Sequence, residues 1–243
     1  MSEKCLKCFR PLSTCYCSSI KTLETDVKFI FLMHPKEAYH QHTGTGRLAC
    51  LSLKDAEIIV GIDFTHNAKL NRLLSDPDFF PMVLYPGEDS LTAEAPLLKE
   101  RCNAGKKLLI IVVDATWFFA KKMLRLSPNV RNLPKISFKN IYTSEFTFKR
   151  QPAPGCVSTI ESCFFLIKEL QQAGVISTIV DPQPLMDVFR KMVDFQLEAE
   201  QQRIDAGIPG RHSYDNQRDL MRKGKPRRRR VSLEESYTLP EQR

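Results

Sequence analysis

Leu108-Leu109-Ile110-Ile111-Val112-Val113-Asp114-Ala115-Thr116-Trp117 is the stretch that decides how this chain is built. Its six consecutive apolar residues leave no polar face, the pattern of a central strand buried on both sides. The run stops at a carboxylate, and residues 118–126 follow with apolar positions at helical spacing. In an open α/β sheet, ligands bind outside the carboxyl ends of the strands. Asp114 is therefore placed where a catalytic acid or base belongs. A second reading makes it the helix N-cap, whose side chain accepts from N–H groups that lack a carbonyl partner. Trp117, the only tryptophan, also reads two ways: a ring stacked on a base or an adenine, or a ring filling the core.

Outward from this junction, short apolar runs alternate with helical patterns. Strands are predicted at 27–33, 57–62, 81–85, 108–113 and 133–138, and helices at 45–53, 68–74, 94–102 and 118–126. That alternation implies βαβ units, hence an α/β fold with a mostly parallel sheet and helices on both faces. Pro152, Pro154 and Gly155 mark a loop, after which 158–172 and 184–206 read as helices. Beyond Pro209 the composition turns polar and basic. The predicted division is a cysteine segment at 1–20, a catalytic domain at 21–208 and a basic tail at 209–243.

The chain of 243 residues carries 36 Lys and Arg against 28 Asp and Glu, a net charge of +8. Such a surplus favours polyanions, because each phosphate neutralised releases condensed counterions. Part of it is concentrated in the tail, where Arg227, Arg228, Arg229 and Arg230 follow one another. No apolar run reaches the ~20 residues that span a bilayer. The first residues also lack the apolar stretch of a signal peptide, so the cytoplasm is the expected location.

Four of the eight cysteines fall within the first 17 residues as Cys5-x2-Cys8-x6-Cys15-x1-Cys17. A CxxC knuckle offers two thiolates from one turn, and four thiolates complete a tetrahedral zinc site that is closed, hence structural. Buried thiols or a redox pair are the competing readings.

Several segments together resemble the DTW-domain proteins, relatives of the SPOUT class of RNA-modifying enzymes. Asp114-Ala115-Thr116-Trp117 resembles the family signature, and the four N-terminal cysteines resemble its zinc motif. His34-Pro35-Lys36-Glu37 with Thr45-Gly46-Arg47-Leu48 is similar to its first βα segment. Leu84-Tyr85-Pro86-Gly87 is similar to the loop before the signature, and Arg150 with Ser158-Thr159-Ile160-Glu161 to its late motif. Ala115 departs from the pattern where small residues including glycine are usual.

The resemblance implies a tRNA-uridine aminocarboxypropyltransferase. Such an enzyme moves the 3-amino-3-carboxypropyl group of S-adenosylmethionine to uridine N3 and releases 5′-methylthioadenosine. It also implies a SPOUT-like sheet with a C-terminal trefoil knot, an exception to the rule against threaded chains. On that basis Asp114 is expected to take the N3 proton, Thr116 to bond the uracil edge or the amino-acid end of the donor, and Trp117 to close the pocket. Leu84, Tyr85, Pro86 and Gly87 are expected against the adenosine. Ser158 and Thr159 are expected to hold the donor carboxylate at a helix N-terminus, with Glu161 on its amino group. Ser158-x-x-Glu161 equally fits a capping box. Arg47, Arg150 and the tail arginines are expected on RNA. No membrane or protein partner is implied. The alternatives are a methyltransferase using the same donor, or a zinc and RNA-binding protein without catalysis.

Overall fold

The computed structural model describes residues 3–41, 43–147 and 155–208. At its centre is a sheet of five strands, all parallel: β1 (Val27–Met33), β2 (Ala56–Val60), β3 (Phe79–Leu84), β4 (Lys107–Asp114) and β5 (Lys135–Ile136), in the order β2-β1-β4-β3-β5. β4 is the middle strand, and Leu108 through Ile111 are fully buried. Burying one such side chain contributes roughly 1.5–3 kcal/mol relative to exposure, which is why an apolar run with no polar face ends up in the middle of the sheet.

Alternation along β4 sorts its side chains between two cores. Leu108, Ile110 and Val112 pack with Phe29 and Phe31 of β1 against helices α2 (Thr45–Ser52), α4 (Pro96–Asn103), α7 (Thr159–Gln172) and α8 (Gln183–Asp205). Leu109 and Ile111 pack with Ile30 and Leu32 against α3 (Ala68–Ser75), α5 (Trp117–Leu126) and α6 (Pro128–Arg131). Helices thus cover both faces, as the alternating pattern predicts. The six-residue helix α1 (Pro35–His40) links β1 to α2.

One element differs from expectation. β5 is two residues long rather than six. Leu133 still belongs to the turn out of α6, its N–H bonded to Val130 O, and Pro134 has no N–H to give a neighbouring strand. After Ile136 the chain leaves the edge, where Ser137 N–H donates to Leu91 O. The cysteine segment packs on the main core. Tyr16 is buried in the α2–α7–α8 cluster and meets Phe195 of α8 edge-on at 6.3 Å. The Arg10 guanidinium lies 4.2 Å from the Tyr16 ring centre, with its Nε donating to Thr14 O.

Candidate active site at the carboxyl ends of β3 and β4

Asp114 is the last residue of β4, on the same face as Val112. The N-cap of α5 is Thr116, two residues later, so the capping position falls there and not on Asp114. Asp114 is 7% exposed, and its Oδ1 accepts from the Thr159 hydroxyl at 2.7 Å. Thr159 opens α7. Across from it, Gly46 in the first turn of α2 approaches so closely that a Cβ built there would stand 2.2 Å from Asp114 Oδ2. The first turns of two helices therefore converge on one carboxylate. Helix N-termini carry partial positive charge, which favours an anion there.

A cleft of about 480 Å³ opens beside this carboxylate. Leu84, Tyr85, Pro86 and Gly87 all line it where the chain leaves β3, facing Ala115, Trp117 and Thr159. The Trp117 and Tyr85 rings meet at 5.9 Å with a 59° tilt, forming an aromatic wall. Asp114 and Thr116 are not among the lining side chains; Thr159, which bonds Asp114, is. The opposite wall includes Phe138, Asn140 and Ile141.

Two buried glutamates of α7 fix that wall. Glu169 accepts from the backbone N–H groups of Lys139 and Asn140, from Asn140 Nδ2 and from the Tyr142 hydroxyl, at 2.9–3.1 Å. Tyr142 stacks on Phe165 at 3.8 Å. Glu161 is fully buried and accepts from Ser158 N–H, Ser144 Oγ and Glu145 N–H. The Ser158-x-x-Glu161 pattern is therefore used as a helix cap. Both Glu161 oxygens already hold protein donors, and neither Ser158 nor Glu161 lines the cleft. Nothing in the sequence pattern distinguished Glu169 from an exposed helical glutamate.

The remaining candidates lie apart. His34 caps α1: its Nδ1 accepts from Lys36 N–H at 3.1 Å, and its ring stacks on Phe119 at 4.2 Å. Burial, then Lys36 and Lys122, pull its pKa below the ordinary value. Arg47 lies on the other side of Asp114, its guanidinium 4.2 Å from the Phe9 ring centre and donating to Ala38 O. Burial lowers its pKa, and Asp114 is among the anions working against that shift. Arg150, Arg227, Arg228, Arg229 and Arg230 lie outside the described residues.

The thiols of Cys5, Cys8, Cys15 and Cys17 lie within 4.8 Å of one another. Cys5 and Cys17 Sγ are 3.7 Å apart, and Cys8 and Cys15 Sγ 3.6 Å. Metal–sulfur bonds of about 2.3 Å in a tetrahedron require edges of roughly 3.8 Å, so the donor set fits one closed, four-coordinate ion. Amide N–H groups of Cys8 and Lys7 bring Cys5 down to about 6, which favours the thiolate a metal needs. Burial pushes Cys8 and Cys17 up.

A parallel α/β sheet with a buried carboxylate ending its central strand, beside a cleft with an aromatic wall, has the layout of a ligand-transforming enzyme. Residues 2–197 match the DTW domain, and the chain belongs to the DTW-domain family. It is 30% identical over 188 residues to tRNA-uridine aminocarboxypropyltransferase 2 of Drosophila melanogaster, covering 74% of this chain and 72% of the fly protein. The mouse protein of the same name is 23% identical over 198 residues, 80% of this chain and 64% of its own. tRNA-uridine aminocarboxypropyltransferase A of Arabidopsis thaliana is 26% identical over 215 residues, 79% and 80% of the two chains. No solved structure matches.

Proposed function

We propose that this chain is a tRNA-uridine aminocarboxypropyltransferase. The observation that carries the reading is the signature carboxylate Asp114, held between two helix N-termini beside the cleft in a chain whose relatives bear that name. The donor is S-adenosylmethionine, seated with its adenosine against Leu84, Tyr85, Pro86 and Gly87. In the transfer, a bond forms between uridine N3 and the γ-carbon of the aminocarboxypropyl group while the carbon–sulfur bond breaks. The sulfonium leaves as the neutral thioether 5′-methylthioadenosine, and the N3 proton goes to the protein.

Asp114 is the acceptor for that proton, and Thr159, which bonds it and lines the cleft, connects the two. General-base assistance of this kind is worth about 10²–10⁴-fold. The N–H groups at the start of α7, at Thr159, suit the donor carboxylate. Thr116 takes the uracil edge, and Trp117 excludes water. Glu161, with its oxygens occupied, acts by holding the 144–145 segment against α7 rather than as a ligand.

The ion in the cysteine cluster is zinc, matched by four sulfur donors at tetrahedral spacing. Arg47, Arg150 and the arginines at 227–230 contact RNA, and the cytoplasm is the site of action. The C-terminal trefoil knot is carried by the family resemblance alone; Thr159 is set against Asp114, two strands from the β5 edge.

The test uses tRNA with S-adenosylmethionine labelled in either the methyl or the carboxyl group. Carboxyl label alone entering tRNA supports the reading, while methyl label alone makes the chain a methyltransferase. Asp114→Asn is expected to abolish transfer and keep donor affinity; retained turnover overturns its role as base.

A further inference from the structure

We propose that a second cleft, between the cysteine segment and helices α1 and α2, seats an unstacked nucleotide of the RNA substrate on the far side of Asp114 from the donor cleft. The proposal deepens the transferase reading, and rests on it only in taking RNA as the substrate.

This cleft holds about 340 Å³ and is lined by Lys4, Phe9, Tyr39 and Arg47, among others. Tyr39 is 72% exposed and Phe9 49% exposed, so neither ring is spent on the core. Phe9 also occupies the left-handed region, at φ 59°, where a bulky side chain is strained and glycine is at ease. The CxxC turn imposes that conformation: Phe9 N–H donates to Cys5 O, and Cys5 N–H to Arg10 O, each at 2.8 Å. An aromatic ring kept at a position that suits glycine points to a use for the ring. Its place supplies one. The ring carries the Arg47 guanidinium at 4.2 Å, and Ala38 O holds that guanidinium in position.

Aromatic faces and guanidinium planes are the surfaces on which unpaired RNA bases stack, while nearby cations meet the backbone. The charges agree. Lys4, Arg10 and Arg47 line the cleft against one carboxylate, Glu37. Its position relative to the chemistry agrees as well. Met33, paired with Asp114 across the β1–β4 ladder, lines this cleft. Gly46, against the Asp114 carboxylate, precedes Arg47, which also lines it. Thr159, on the other side of Asp114, lines the donor cleft. Asp114 thus has neighbours lining each of the two clefts, Thr159 in the donor cleft and Met33 and Arg47 in the second. The folded cysteine segment builds one wall of the second.

The experiment compares wild type with Phe9→Gly, which removes the ring and relieves the backbone, and with Arg47→Gln. Equilibrium binding to tRNA is measured at several salt concentrations, with affinity for S-adenosylmethionine and metal content measured in parallel. Phe9→Gly is expected to weaken tRNA binding by about 5- to 150-fold, the range for losing one stacked base, with donor affinity and metal content unchanged. Arg47→Gln is expected to reduce the salt slope by about one. Wild-type tRNA affinity in both variants overturns the proposal. In the unaltered protein, photocrosslinking of tRNA containing 4-thiouridine is expected on the peptide bearing Phe9 or Tyr39; crosslinks confined to other peptides overturn it too. Carboxyl-label transfer with undiminished tRNA binding in the variants sinks the cleft and leaves the transferase reading standing. Absent transfer with weakened tRNA binding does the reverse.

Discussion

Gly46 and Asp114 touch so closely that one added methyl group at Gly46 would lie 2.2 Å from Asp114 Oδ2 and 2.5 Å from its Cγ. Ordinary van der Waals contact between carbons lies at about 3.5–4.0 Å. The two backbones are fixed, Gly46 in the first turn of α2 and Asp114 at the end of the central strand, so the carboxylate is what must move. Gly46→Ala is therefore expected to drive the carboxylate off the Thr159 hydroxyl. Overpacking costs about 1–3 kcal/mol, or a Tm lower by roughly 2–12 °C for a chain of this size. Transfer activity is expected to fall as far as in Asp114→Asn. Calorimetry and labelled transfer check both, and full activity in Gly46→Ala would show that the placement of Asp114 is unimportant.

Thr159 donates the hydrogen bond that fixes Asp114 Oδ1. Thr159→Val keeps the shape and removes the donor, leaving a buried carboxylate oxygen short of one bond at a cost of about 1–3 kcal/mol. Turnover is expected to drop with it. Thr159→Ser keeps the hydroxyl and should retain most of both. Equal turnover in the Val and Ser variants would detach Thr159 from the chemistry.

What the sequence revealed and what it hid follow from the range of the interactions. β4 was legible because every one of its positions from 108 to 113 is apolar, a local pattern with one structural solution. The choice between cap and site at Asp114 was only partly local. It turned on Ala115 and Thr116 standing between strand and helix, and on Gly46 and Thr159 arriving from distant parts of the chain. Gly46 stood out only as a member of the segment Thr45-Gly46-Arg47-Leu48, because sequence spacing says nothing about which side chain a glycine makes room for. Phe9 gave no signal at all, since its backbone conformation is set by the fold of the knuckle around it.

Glu169 is 4% exposed and receives four hydrogen bonds from the segment 139–142, which leads away from one wall of the donor cleft. Glu169→Gln replaces one acceptor oxygen with an amide that faces other donors. The variant is expected to lose roughly 1–3 kcal/mol of stability and to raise the KM for the donor while leaving tRNA affinity intact. Thermal unfolding and separate KM values for the two substrates check this. A raised KM for tRNA alone would place the segment's effect elsewhere.

His34 is buried and its pKa lies below the ordinary 6.5, through burial first and then Lys36 and Lys122. The unfolded chain therefore takes up this proton at a higher pH than the folded one. The resulting stability is fully present above about 6.5 and is lost as the pH falls through the folded value. His34→Asn preserves a cap acceptor for Lys36 N–H and removes the titration. Its Tm is expected to fall less steeply than that of wild type between about pH 7 and 5. Parallel slopes would assign the acid sensitivity to other groups.

The cysteine cluster is coupled to the rest of the fold through Tyr16 and Arg10, which pack against Phe195 of α8. Metal removal should release that contact without reaching the donor cleft, which lies on the other side of Asp114. Chelation, or Cys8→Ser, is expected to lower the Tm and to weaken tRNA binding, because the wall bearing Phe9 loses its shape. Affinity for S-adenosylmethionine should change little. The native protein is expected to hold one zinc per chain, and cobalt substituted for it should show the absorption of a tetrahedral four-sulfur site. Should donor affinity collapse together with tRNA affinity, the metal supports the whole domain, and the separation of the two clefts across Asp114 fails with it.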